Sequence, residues 1–168
     1  MEIIRDLAEI QLALQGGAVT IGNFDGVHQG HAKLLEQLIL RAREVGGPAI
    51  VLTFDPHPVR ILRPELAPPP LTWTSRKAEL LCALGVDVTV VYPTDKNFLN
   101  LSAEQFFEEI VMQRLGAKAL VEGPNFAFGK DRGGSTELLQ SLCDAHDVQL
   151  QIVPPLLEGD QLVSSSRI

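Results

Sequence analysis

Short apolar runs alternate along the chain with longer amphipathic segments. The runs are rich in β-branched residues and nearly continuous in apolar character, which is typical of strands covered on both faces. We predict five strands from them, at Ala18–Gly22, Ala49–Phe54, Val86–Tyr92, Lys118–Glu122 and Val148–Val153.

Between these runs, apolar residues recur at helical spacing, and a glycine or a polar cap marks the ends. The pattern predicts four helices: one whose apolar stripe begins at Leu35 and stops before Gly46, and others over about 75–84, 102–115 and 136–145. The third helix opens with Ser102, and Gln105 three residues later completes a capping-box pattern.

Strands and helices that alternate in this order predict right-handed βαβ units and a doubly wound α/β domain with a mainly parallel sheet. In such folds, ligands bind at the carboxyl ends of the strands, at the point where the strand order reverses. The loops that are candidates for a site therefore follow Gly22, Phe54, Tyr92, Glu122 and Val153. The proline-rich stretch from Pro64 to Pro70 predicts a surface loop.

The composition places the chain among ordinary globular proteins. Its 168 residues and 18.3 kDa fit a single domain, and 45% hydrophobic with 21% charged residues exclude intrinsic disorder. No apolar run approaches the roughly 20 residues that span a bilayer. The first residues include Glu2, Asp6 and Glu9, where a signal peptide needs a basic end and an apolar centre. We therefore expect a cytoplasmic protein with no membrane partner.

The formal net charge of -7 argues against a general nucleic-acid binder, which needs a basic footprint. A polyanionic ligand must instead bind at a local site built from a few cations and backbone amides. Cys82 and Cys143 are far apart and lie in no CxxC or histidine-rich spacing, so we expect two buried, reduced thiols on apolar helix faces.

The loop GNFDGVHQGH, from Gly22 to His31, joins the first predicted strand to the first helix. Its glycines permit close backbone approach, and the helix N-terminus with its unpaired amides favours an anion. Because His28 and His31 lie three residues apart at this terminus, both can face a phosphate. A glycine-rich turn with a polar cap is the structural alternative, and a metal site is weaker because no third ligand lies nearby.

Two familiar phosphate-binding loops are excluded. No GxGxxG follows a strand, so the dinucleotide fingerprint is missing. The segment GPNFAFGK, from Gly123 to Lys130, imitates a Walker A loop but has one residue too many between its glycines. Asp131 also stands where that loop needs a serine or threonine.

Three further motifs resemble ligand loops but also have structural interpretations. FDPHP, with His57 at its centre, leaves the second strand through two rigid prolines. GPNFAFGK carries Phe126 and Phe128, whose rings can line a slot for a planar group or cover the core. The serines of the terminal VSSSRI can hold phosphates through hydroxyls and amides, or form an ordinary frayed end.

Taken as an ordered set, these motifs resemble the prokaryotic FAD synthetases. GNFDGVHQGH is similar to the HxGH signature of α/β nucleotidyltransferases, which have a Rossmann-like fold. FDPHP, GPNFAFGK and VSSSRI are similar to that family's later motifs in the same order. The resemblance extends from about Ala18 to the end of the chain. It implies that ATP and FMN react, with Mg²⁺, to give FAD and pyrophosphate.

The resemblance also implies roles for individual residues. His28, His31 and Asn125 would be catalytic, with the histidines at the ATP phosphates and Asn125 at the flavin phosphate or metal. ATP would further bind the residues Gly22, Asn23, Phe24, Gly30, Ser164 and Ser165. Phe54, His57 and Phe128 would lie on the flavin side.

The chain departs from the family pattern in two ways. The family's last motif continues with an arginine directly after the isoleucine, whereas this chain ends at Ile168. Members usually carry a riboflavin kinase domain after this motif, so we expect residues 1–168 to be an FMN adenylyltransferase domain without that partner. Two alternatives remain open: another small-molecule adenylyl- or cytidylyltransferase, and a non-catalytic module that binds flavin or nucleotide.

Overall fold

A computed structural model describes most of the chain. The described residues are 2–4, 15–22, 24, 29–55, 65, 74–93, 96–124, 126–130, 133–154, 157–158 and 161–162. The predicted loop from Pro64 to Pro70 lies outside them except for Glu65.

A six-stranded sheet forms the centre of the fold, and every neighbouring pair in it is parallel. Its strands are β1 (Glu2–Ile4), β2 (Ala18–Ile21), β3 (Ala49–Asp55), β4 (Val88–Pro93), β5 (Ala119–Glu122) and β6 (Gln149–Ile152). The spatial order is β1-β4-β3-β2-β5-β6. The five predicted strands are confirmed, with ends shifted by one or two residues. Strand β1 was not predicted, and neither was the small antiparallel pair β7 (Leu157–Glu158) and β8 (Gln161–Leu162).

The four predicted helices are also confirmed. They are α1 (Gln29–Val45), α2 (Thr74–Ala83), the segment made of α4 (Ala103–Phe106) and a π-helix (Phe107–Arg114), and α5 (Thr136–Ala145). A short helix α3 (Lys96–Leu99) was not predicted. The capping box forms as expected: the Ser102 hydroxyl accepts the Gln105 N–H at 3.1 Å, and Gln105 Oε1 accepts the Ser102 N–H at 2.9 Å.

Hydrophobic layers cover both faces of the sheet. On one face, α1 and α2 bury Leu35, Leu38 and Leu81 against alternate sheet residues such as Val51 and Val121. On the other face, the π-helix and α5 form a second layer, which includes Phe107, Ile110, Leu120, Leu139 and Cys143. Helices on both faces of a parallel sheet define the doubly wound α/β architecture, so that prediction is confirmed.

The two cysteines are free thiols, but only one is buried. Cys143 lies in the core, and burial first, with the nearby Asp144 charge second, raises the pKa of its thiol to about 11. The prediction of a buried thiol at Cys82 is wrong. Ala78 and Leu81 form the core-facing side of α2, and Cys82 lies about 100° of helical rotation beyond Leu81, on the exposed side.

No helix in the described part of the chain is long and apolar enough to span a membrane.

Candidate functional site

The strand order reverses between β2 and β5. From β2 the chain proceeds through β3 to β4 on one side, whereas β5 and β6 lie on the other side. The carboxyl ends of β2 and β5 therefore border the crevice where a doubly wound fold binds its ligand. The two motif-bearing loops that begin at Gly22 and Gly123 both leave the sheet at this point.

Two described residues of the first loop, Gly22 and Phe24, anchor its start in the core. The Gly22 N–H donates to the Leu52 carbonyl at 3.0 Å, which extends the β2–β3 pairing to the first residue of the loop. Phe24 then adopts a left-handed backbone with φ of 51° and is only 5% exposed. Its ring lies against Gly22, where a Cβ atom would be 3.1 Å from Phe24 Cε2. A non-glycine residue adopts this conformation only where its surroundings hold it, and here the buried ring does so.

His31 lies in the first turn of α1 and is half-buried. Its imidazole contacts the Phe24 ring edge-on, with ring centroids 4.9 Å apart. Gly30 precedes it in the same turn. An imidazole held at a helix N-terminus, beside backbone amides that lack helical partners, is a favourable arrangement for an anionic ligand.

Two buried ionisable residues at the same end of the sheet were not predicted as site residues. Glu122, the last residue of β5, is 3% exposed, and its Oε1 accepts the backbone N–H of Ile21 at 2.7 Å. Burial raises the pKa of this carboxyl well above its ordinary value, and the Ile21 N–H and the Thr20 hydroxyl act in the opposite direction. Lys77 of α2 is 8% exposed, and its Nζ donates to Thr53 Oγ1 over 3.4 Å. A glutamate that ends an otherwise apolar strand was the available sequence signal for Glu122.

A continuous row of aromatic rings runs from the carboxyl ends of β3 and β4 to the second loop. Phe98 of α3 lies 5.4 Å from Phe54 and 4.5 Å from Tyr92, measured between ring centroids. The row continues to Phe106 at 5.9 Å and from there to Phe128 at 6.0 Å. Of these rings, Phe54, Tyr92 and Phe98 are half-buried, so part of the row faces outward.

The second loop is closed by a bridge between Phe128 and Gly134. Each residue's N–H donates to the other's carbonyl, at 3.1 and 2.8 Å. Phe128 is only 6% exposed, and the half-buried Phe126 stacks on it with ring centroids 5.5 Å apart and planes 10° apart. A Cβ atom at Gly134 would lie 2.6 Å from the Phe128 ring, so a larger residue there would have to displace that buried ring.

Comparisons with known proteins identify the family to which this site belongs. The family model described as FAD synthetase matches residues 10–167. The chain belongs to the FAD synthetase family. The bifunctional riboflavin kinase/FMN adenylyltransferase of Escherichia coli (strain K12) is 34% identical over 169 residues, which cover 100% of this chain and 54% of that protein. The protein of the same description from Pseudomonas fluorescens is 38% identical over 140 residues, which cover 83% of this chain and 45% of that protein. The chain thus spans about half the length of the curated relatives it matches.

Solved structures agree with the fold. A crystal structure described as the macrolide-efflux protein of Streptococcus pneumoniae superposes with a TM-score of 0.82 at 26% identity and covers 98% of this chain and 53% of that chain. The pantothenate synthetase of Thermus thermophilus gives a TM-score of 0.64 at 18% identity over 99% of this chain and 66% of that chain. The second likeness shows the fold alone.

Within this FAD synthetase fold, the described residues bring part of the predicted site together. Gly22, Phe24, Gly30 and His31 lie at the carboxyl end of β2 and the start of α1, whereas Phe54 and Phe128 belong to the aromatic row. The remaining predicted residues lie outside the described part of the chain: Asn23, His28, His57, Asn125, Ser164 and Ser165.

Proposed function

We propose that this chain transfers the adenylyl group of ATP to FMN, giving FAD and pyrophosphate. The observation that carries the proposal is the match to the FAD synthetase family across residues 10–167. The geometry supports it because the histidine loop leaves the sheet at the point where the strand order reverses, the usual ligand crevice of this fold.

The reaction needs no nucleophile from the protein. An oxygen of the FMN phosphate attacks the α-phosphorus of ATP in line, and the bond from that phosphorus to the bridging oxygen of the leaving pyrophosphate breaks. The protein accelerates this step by positioning the two phosphates and by stabilising negative charge on the departing group. A preorganised cluster of donors at the crevice is the feature that the proposal requires.

We assign the ATP phosphates to the first loop and the start of α1. The His31 imidazole is held in place by the Phe24 ring, and His28 is proposed as the second imidazole. Backbone amides of Gly22, Asn23, Phe24 and Gly30 are proposed as further donors, with Ser164 and Ser165 at the β- and γ-phosphates. Asn125 is assigned to the flavin phosphate or the metal.

The flavin is proposed to lie along the aromatic row, at Phe54, His57 and Phe128. Phe54 is half-buried and can offer part of its ring to a planar ligand. Because Phe128 is 6% exposed, its main contribution would be to support Phe126, which stacks on it. Phe126 therefore joins the proposed flavin side.

Magnesium is proposed to enter with ATP. The described residues contain no group of three or more histidine, cysteine, aspartate or glutamate side chains placed to hold a metal ion. Mg²⁺ is commonly held by substrate phosphates, water and one or two protein oxygens, so a site of this kind needs no such group. When bound, it would offset the charge of the triphosphate in a protein whose own net charge is -7.

We further propose that residues 1–168 form the adenylyltransferase domain and that it works beside a riboflavin kinase domain. The relatives' names contain both activities, and this chain spans 54% of the first of them. A cytoplasmic location is proposed because the substrate ATP and two free thiols suit a reducing compartment.

The test is formation of FAD from ATP, FMN and Mg²⁺, measured by chromatography with the wild-type protein, His31→Ala and Glu36→Ala. Removing one well-placed transition-state contact costs about 100-fold in rate, which is the expected fall in kcat/KM for His31→Ala. Glu36 is an exposed residue of α1, so its substitution should leave the rate within about 2-fold of wild type.

Three outcomes would contradict the proposal. If no FAD forms from ATP, FMN and Mg²⁺, the chain is not an FMN adenylyltransferase. If adenylyl or cytidylyl transfer occurs only to another acceptor, the related nucleotidyltransferase alternative is correct. If flavin binds and quenches its fluorescence but nothing turns over, the chain is a binding module.

A further inference from the structure

The two strands that border the crevice separate before they end. β2 pairs with β5 only at Ala18 with Ala119 and at Val19 with Leu120. β2 nevertheless continues beside β3 as far as Ile21, and β5 continues beside β6 as far as Glu122. Each strand is thus held by its outer neighbour while the gap between the two opens toward the loops.

The side chain of Glu122 bridges this gap. The Gly22 N–H points to β3, where it donates to Leu52, so the preceding N–H, that of Ile21, points to β5. No β5 carbonyl within Ala119–Glu122 is paired with it, and the carboxyl Oε1 of Glu122 accepts it at 2.7 Å instead. The Glu122 backbone carbonyl meanwhile accepts the Val153 N–H at 2.8 Å. One residue therefore connects the end of β2 to β5 and to the chain that leaves β6.

The bridge sits next to both loops of the site. Ile21 directly precedes Gly22, the first residue of the histidine loop, and Glu122 directly precedes Gly123, the first residue of the second loop. An ordinary ladder bond would hold the strands about 4.8 Å apart up to their ends. A side-chain acceptor satisfies the same N–H across a wider gap, so it keeps the crevice open without leaving a buried donor unpaired.

We propose that Glu122 is a positioning residue, which fixes the separation of β2 and β5 and thereby sets the histidine loop at the correct distance from the second loop for the ATP phosphates. The inference rests on the proposed function, which places ATP in this crevice. Glu122 is not proposed to contact the reacting atoms.

The protonation of Glu122 is compatible with this role. Burial raises the pKa of the carboxyl, which favours the neutral form and limits repulsion of a nearby triphosphate. The Thr20 hydroxyl opposes that shift, but its buried Oγ1 makes no hydrogen bond of good geometry within the described residues. The Ile21 N–H is therefore the contact that holds the carboxyl in place.

Two substitutions separate the hydrogen bond from the space that the side chain fills. Glu122→Gln keeps an oxygen acceptor at the same length, whereas Glu122→Met has a similar length but no acceptor oxygen. Glu109→Met, at an exposed glutamate of the π-helix, is the matched control. We would measure hydrogen exchange of the Ile21 amide, the Kd for Mg-ATP by calorimetry, and the KM values for ATP and FMN in FAD synthesis.

We expect Glu122→Met to speed exchange of the Ile21 amide and to raise the Kd and KM for ATP by about 10-fold or more, since small misplacements of binding groups cost this much. The KM for FMN should rise as well, because Glu122 directly precedes the second loop, to which the flavin-side residues Phe126 and Phe128 belong. Glu122→Gln should restore both ATP constants to within about 3-fold of wild type, and Glu109→Met should leave them unchanged.

If Glu122→Met binds ATP as wild type does although its Ile21 amide exchanges faster, Glu122 has no positioning role. Equal loss in the Gln and Met variants would overturn the proposal as well. Should the Met variant fail to fold, Glu122→Asp, a carboxyl one methylene shorter, must show the same weakening of ATP binding. Wild-type protein that binds ATP but makes no FAD would refute the proposed function alone. Wild-type protein that does not bind ATP would refute both.

Discussion

Replacing Phe24 by alanine tests whether a single ring anchors the phosphate loop in the core. Phe24 is 5% exposed, and a phenylalanine buries about 150–250 Å². At about 25 cal/mol per Å², its burial is worth about 4–6 kcal/mol as an upper bound, since unfolded chains already bury some apolar area. Core Phe→Ala substitutions cost about 3–5 kcal/mol. We expect about 3 kcal/mol here, because alanine retains its Cβ and a loop can partly collapse into the space.

The same substitution should impair the site, because the Phe24 ring is the packed neighbour of His31. We expect kcat/KM for ATP to fall by about 10-fold, since an imidazole that loses this support spends less time in the productive geometry. Phe24→Leu keeps an apolar side chain in the hydrophobic layer formed by α1 and α2. It should therefore lower the free energy of unfolding by only about 1–1.5 kcal/mol, although the ring contact with His31 is lost.

Urea unfolding would measure the loss in the free energy of unfolding, and steady-state FAD synthesis would measure the fall in kcat/KM for ATP. Leu40→Ala is the control, because Leu40 of α1 is 45% exposed and should lose less than about 0.5 kcal/mol. A loss below about 1 kcal/mol for Phe24→Ala would refute the idea that this ring anchors the loop. Wild-type kcat/KM in a destabilised Phe24→Ala variant would refute its support of His31.

Three further predictions concern burial. Gly134→Ala should lower the free energy of unfolding by about 1–3 kcal/mol, because its Cβ would lie 2.6 Å from the Phe128 ring; a urea midpoint equal to that of wild type would contradict this. Because the pKa of Glu122 is raised above 4.5, the folded protein binds more protons than the unfolded chain above that pH. Wild-type stability relative to Glu122→Gln should therefore fall as pH rises above 4.5 and level off once the buried carboxyl ionises; a pH-independent difference in urea unfolding would contradict it. Iodoacetamide at pH 8 should alkylate the exposed Cys82 in the native protein, and Cys143, with its thiol pKa of about 11, only on unfolding. Mass spectrometry would detect early modification of Cys143 if this reasoning is wrong.

Gly123→Ala is the control for the glycine prediction. An added Cβ at Gly123 meets no atom within 4 Å, so this variant should unfold at nearly the wild-type urea concentration.

The sequence predicts a strand or helix well when its apolar pattern lies within one segment and extends over enough residues to show its period. The strand Ala49–Asp55 and the helix Thr136–Ala145 are of this kind. β1 has only three residues, and its backbone becomes a strand by pairing with β4, more than eighty positions away in the chain. The π-helix cannot be predicted from the sequence for another reason. Its buried residues keep the spacing of an α-helix, as at Phe107, Ile110 and Val111, whereas the wider turn is defined by the backbone hydrogen bonds.

The site residues likewise differ in whether their position depends on local sequence or on contacts between distant segments. The histidine loop carries its chemistry in consecutive residues, so Gly22 and His31 can be selected from sequence alone. For Glu122 the sequence offers only a glutamate at the end of an apolar strand, because its burial and its bond to Ile21 depend on where two strands, distant in the chain, diverge. The burial of Lys77 likewise depends on contacts made in the folded chain, one of which is to Thr53 on β3.

The two loops of the crevice are anchored in different hydrophobic layers. Phe24, in the first loop, packs into the layer formed by α1 and α2, whereas Phe128, in the second, packs into the layer of the π-helix and α5. Because the parallel sheet separates these layers, repacking on one face can shift one loop while the other stays in place. Glu122 spans the gap where the loops begin, so it is the described residue best placed to keep their spacing constant. In this arrangement the width of the crevice depends on the polar contact between Glu122 and Ile21. The position of each loop depends on the hydrophobic layer into which its phenylalanine packs.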